Sequence, residues 1–128
     1  MNIYLFLSGL FLIALSAIHA VFGEINVFRA ISQSDLDAII QTSVYVPWHQ
    51  LTFILLLSGA AQVFVSFNKK YRVLSLFVLI VVVGNLLIFL GISAFQKNWF
   101  ILQNSVPQYI LFAIVIVLLV LGLKKKMN

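Results

Sequence analysis

Cysteine is missing altogether from the 128 residues, proline occurs twice and the acidic residues number three. Without cysteine there is no disulfide framework, thiol redox centre, iron–sulfur cluster or thiolate metal site. Charge is scarce as well, at 9% of residues against 63% hydrophobic, and the mean hydropathy of +1.15 lies far outside soluble composition. Such a chain has no soluble catalytic domain, so any function belongs inside a helical bundle or at its rims. The net charge of +5 does not make a nucleic-acid binder. Six of the eight basic residues fall in two clusters, Lys69-Lys70-Tyr71-Arg72 and Lys124-Lys125-Lys126, which cap apolar stretches. No basic face with interleaved polar groups tracks phosphates.

What is present is long apolar sequence. A hydrocarbon core about 30 Å thick needs about 20 apolar helical residues. Residues 3–22, 48–67, 73–95 and 108–123 meet that requirement with no internal Lys, Arg, Asp or Glu. The expected fold is all-α: one domain over 1–128, an integral membrane antiparallel four-transmembrane-helix bundle. The first stretch reads as an uncleaved span, because Met1-Asn2 supplies no positive charge and no cleavage pattern follows.

The basic clusters orient the chain. They put both termini and the hairpin between the second and third spans in the cytoplasm, and the first and third loops outside. Trp48 and Trp99 then fit an aromatic belt at the outer rim. The first loop, 23–47, is long for a helical hairpin. Within it Ser34 reads as a helix cap and Asp35 and Asp37 suit the dipole. Leu36, Ile39, Ile40 and Val44 recur on one face until Pro47 stops the pattern. This predicts a short amphipathic helix across the outer mouth, the alternative being a plain loop on the headgroups.

Polar residues within spans are costly unless paired, so they mark the places to look for function. They are His19, Glu24, His49, Gln62 and Asn85. His19 near the end of the first span and His49 at the start of the second share a depth, and Gly23 would let the backbone turn to bring Glu24 back. Two imidazoles and a carboxylate form a set suited to a divalent metal such as zinc or iron. Haem held between His19 and His49 is a further alternative. The bland reading has His19 bonded to Ser16 or a facing carbonyl, His49 wet at the interface beside Trp48, and Glu24 paired with Arg29. Gln62 and Asn85, beside Gly59 and Gly84, are expected to fasten the second span to the third.

The segments His19-Ala20-Val21-Phe22-Gly23-Glu24 and Pro47-Trp48-His49-Gln50-Leu51-Thr52, with the Pro107-Gln108 opening of the last span, resemble a group of small uncharacterised bacterial inner-membrane proteins. That resemblance spans the whole chain and implies a four-helix bundle, with His19, Gly23, Glu24, Trp48 and His49 as the residues of interest and no assigned activity. The function expected is binding of a ligand or metal at the extracytoplasmic rim through His19, Glu24 and His49. A non-catalytic subunit docking a larger membrane partner, or a homo-oligomer, is the alternative. A small exporter is a third reading, opposed by the lack of an acid inside the first span. No catalytic residue is identified.

Overall fold

The computed structural model describes residues 1–97 and 99–125; Lys126 of the C-terminal cluster lies outside them. Helix α1 covers Ile3–Phe22, continues without a break through a π-helical turn, Gly23–Phe28, and ends in a short α2, Arg29–Ser32. Helix α3 runs Ala38–Phe67, a 3-10 turn at Lys69–Tyr71 leads to α4, Val73–Phe95, and α5, Trp99–Asn104, precedes α6, Val106–Lys124. The stretch from Ile3 to Ser32 and the helices α3, α4 and α6 are each long and apolar enough to cross a membrane.

Two expectations about the first connection are corrected. Ser34 does not open a helix; its backbone N–H and its hydroxyl both donate to the Ile31 carbonyl, at 3.1 and 2.6 Å, closing the end of α2. The cap is Asp37, whose carboxylate accepts from the Ile39 N–H at 2.9 Å, where a negative charge suits the helix dipole. Nor does Pro47 stop the pattern: it lies inside the 30-residue α3, so the predicted amphipathic helix is the first part of that helix. Proline forfeits one backbone bond. Such a loss is tolerated where neighbouring helices hold the segment in line, and Trp48, the next residue, is anchored on α1 by its indole N–H, which donates to the His19 carbonyl at 3.1 Å.

The central contact is between α1 and α3. Asn2 meets Ser66, Gly9 meets Gly59 and Val63, and His19 meets Thr52, so these two helices run in opposite directions. A Cβ on Gly9 would stand 2.8 Å from the Gly59 carbonyl oxygen, and one on Gly59 would stand 2.8 Å from the Gly9 carbonyl oxygen. Two glycines facing each other let the backbones approach as side chains would not. Gly59 therefore serves α1 rather than α4.

Asn2 ties the N-terminal end together. Fully buried, it caps α1 by accepting from the Leu5 N–H, donates its own N–H to the Ser66 carbonyl at 2.7 Å, and donates its amide to the Gly122 carbonyl at 2.8 Å. Leu5 fills the space that the missing side chain of Gly122 leaves on α6. Gln62 does join α3 to α4, accepting from the Ser75 hydroxyl at 2.8 Å. Asn85 does not; its amide returns to the Val81 carbonyl of its own helix. Leu12, Leu55, Val82 and Val115 fill the middle of the core. Lys125 lies over the Tyr4 ring at 5.4 Å, which keeps the start of the C-terminal basic cluster beside the N-terminus.

Candidate functional site

Glu24 stands 22 residues beyond Asn2 along a continuous helix, about 33 Å at 1.5 Å per residue. That places it at the far end from the Asn2 knot, in a π-helical turn rather than in a loop. Gly23 does not turn the chain: its φ of −58° and ψ of −51° are ordinary helix values. It is glycine because the Trp48 indole occupies the place where a Cβ would point. In a π turn the N–H bonds five residues back, and the Arg29 N–H donates to the Glu24 carbonyl. The wider turn brings Glu24, Phe28 and Arg29 to one side, where an α-helix would swing Arg29 about 140° from Glu24.

Two of these side chains, Glu24 and Phe28, meet two from α3. The Tyr45 hydroxyl donates to Glu24 Oε1 at 2.7 Å, and His49 Nε2 lies 3.2 Å from the same oxygen. Tyr45 and His49 are four residues apart and share a face of α3, their rings 4.6 Å apart. Phe28 is buried beneath them, 4.2 Å from Tyr45 and stacked on His49 at 5.5 Å. The Glu24 and His49 side chains remain 50% and 38% exposed, so the carboxylate keeps contact with the outside. His49 Nε2 itself is shielded from water and, although close to Glu24, makes no well-aligned hydrogen bond. This is a preformed contact rather than a closed ion pair.

His19 belongs to a neighbouring arrangement. Its Nδ1 is 2.9 Å from the Thr52 hydroxyl, and its ring stacks on Trp48 at 4.2 Å. Trp48 is thus a fastener between α1 and α3, whereas Trp99 is 63% exposed. Glu24 and His49 come together as anticipated, while His19 takes separate partners. Among the described residues no group of three His, Cys, Asp or Glu side chains is disposed to hold a metal ion, so the expected metal set of His19, Glu24 and His49 is not supported. The physical cause is helical phase: His49 and the Trp48 against which His19 stacks are consecutive, so they leave α3 about 100° apart. The pairing of Glu24 with Arg29 that the bland reading gave is absent; among the described residues the ion-pair contact within 4.0 Å is Glu24 with His49.

Above Glu24 the two helical arms enclose a cleft of about 590 Å³, lined by Glu24, Phe28, Arg29, Gln41, Thr42 and Tyr45 among others. The volume falls within the range of small-molecule sites. Phe28, Gln41, Thr42 and Tyr45 were not singled out by sequence, and Arg29 was named only as a partner for Glu24. The spacing of Glu24 to Phe28 and of Tyr45 to His49, four residues in each case, was the available signal. Compared with protein-family models, curated proteins and solved structures, the chain matches none.

Proposed function

We propose that this chain is a multi-pass protein of a bacterial inner membrane, an antiparallel four-helix bundle with both termini cytoplasmic, that binds a small polar ligand at its extracytoplasmic rim. Glu24 and Tyr45 are the ligand-facing polar groups in this reading, with His49 held against Glu24 and with His19, Thr52 and Trp48 positioning α3 against α1. The observation that carries it is the carboxylate of Glu24, oriented by Tyr45 yet half exposed at the base of a cleft large enough for a small molecule. A charge held in place but left reachable is what a reversible ligand needs. A purely structural carboxylate so close to lipid would be more stable if neutralised or replaced. The likeness to small bacterial inner-membrane proteins directs attention to His19, Gly23, Glu24, Trp48 and His49, though not to Tyr45.

The intrinsic fluorescence of Trp48 tests this, because its indole lies 5.7 Å from Phe28. In a Trp99→Phe background, protein in mild detergent is titrated with zinc, inorganic phosphate, ethanolamine and neutral amino acids. Saturable change with one class of probe, lost in Glu24→Gln, is the expected result. Emission indifferent to every probe, and identical in Glu24→Gln, would overturn the rim site.

A second reading has one observation in its favour. Gly84 and Gly91 of α4 face open space with no atom within 4 Å of a Cβ, beside exposed Leu87 and Ile88. That strip suits a membrane-protein partner or a second copy. Gly84→Leu would then disrupt the assembly while leaving the Trp48 titration unchanged, whereas an unaltered size in mild detergent would remove this reading.

A further inference from the structure

Resting on the rim site just proposed, we infer that its ligand is a compact zwitterion, one that carries an ammonium group and an anionic oxygen group, of the phosphoethanolamine kind. Glu24 and Arg29 line the same cleft with opposite charges. Among the described residues neither is neutralised by the other, nor does Arg29 come within 4.0 Å of any other carboxylate. A simple cation drawn to Glu24 would meet the guanidinium, and a simple anion drawn to Arg29 would meet the carboxylate. A molecule with both charges satisfies both.

The polar inventory agrees. Glu24 Oε1 is taken by the Tyr45 hydroxyl, which leaves Oε2 to accept from an ammonium. The Tyr45 ring beside it, 42% exposed, suits a cation, which aromatic rings attract within about 6 Å. Arg29 offers a fork of donors that matches phosphate or carboxylate oxygens. The Gln41 amide nitrogen already donates to the Leu36 carbonyl, so its free oxygen is a further acceptor at the mouth. The π-helical turn is what makes the pair possible, since it sets residues five apart side by side.

The same chemistry arrives either as a soluble solute or as the headgroup of phosphatidylethanolamine, and two arms separate these sources. In the first, the protein in nanodiscs of dioleoylphosphatidylglycerol is titrated calorimetrically with O-phosphoethanolamine, ethanolamine and inorganic phosphate. In the second, native mass spectrometry scores retention of dioleoylphosphatidylethanolamine against dioleoylphosphatidylglycerol. O-phosphoethanolamine, or the ethanolamine lipid in preference to the glycerol lipid, is expected to bind. Glu24→Gln and Arg29→Gln should each weaken that binding about tenfold or more, and Arg29→Lys should weaken it less. Saturable binding in the first arm marks a solute, and binding confined to the second marks a headgroup. If ethanolamine alone binds as tightly as O-phosphoethanolamine and Arg29→Gln is silent, the zwitterion is overturned while the rim site stands. If neither arm shows binding and Trp48 emission responds to no probe, the rim site has failed with it.

Discussion

The end that gathers Asn2, Ser66 and Gly122 and the end that gathers Glu24, Tyr45 and His49 both concentrate polar groups, and they dispose of them in opposite ways. At the first, the polar groups are uncharged and fully buried, and they bond to backbone carbonyls. At the second, a carboxylate is half exposed and an imidazole nitrogen is buried near it without a well-aligned bond. Neutral hydrogen bonds in an apolar surrounding are strong because no water competes, so the first end behaves as a clamp. A carboxylate kept accessible adds little to folding. The lesson is a division of labour along the helices: one end holds the bundle shut, and the other holds a charge ready.

Substitutions can break that division, beginning where the effect is greatest. Gly9→Leu drives a side chain into the Gly59 carbonyl and Val63 and should abolish the folded bundle, seen as loss of a cooperative melt and of a single size-exclusion peak. Asn2→Ala removes a cap and leaves the Gly122 carbonyl without its buried donor, at a cost of about 2–3 kcal/mol in detergent unfolding. Gly23→Ala lies nearer the other end and displaces the Trp48 indole; about 1–3 kcal/mol of destabilisation is expected, with a red shift in its emission. Glu24→Gln sharpens the comparison most at the lowest structural cost, since the melting temperature should stay near that of the unaltered protein while the Trp48 titration is lost. A large loss of stability in Glu24→Gln would show that both ends are clamps.

The helical stretches were legible in the sequence because lipid-length apolar runs admit few other structures. The third matched its expected 73–95 bounds, whereas the second began ten residues early, at Ala38. Proline was given the weight it carries in an isolated helix, where the docking of Trp48 beside it was invisible. Glu24 and His49 were legible by residue type and position; nothing in the sequence sets Tyr45 and Phe28 apart from the chain's other aromatics. The partners that His19 takes, Thr52 and Trp48, were not legible, because periodicity assigns a face but does not reveal which neighbour fills it. The π turn left no mark in hydropathy at all, and with it went the cleft that Glu24 and Arg29 line together.

Because the chain has no native cysteine, sidedness can be read with single substitutions. Gln41→Cys sits at the cleft and Lys125→Cys at the clamped end. On intact spheroplasts a membrane-impermeant maleimide should label the Gln41→Cys protein at once and the Lys125→Cys protein only after permeabilisation. Labelling of both from outside, or of Lys125→Cys alone, would contradict a bundle that presents its charged cleft to the extracytoplasmic side and its clamp to the cytoplasm.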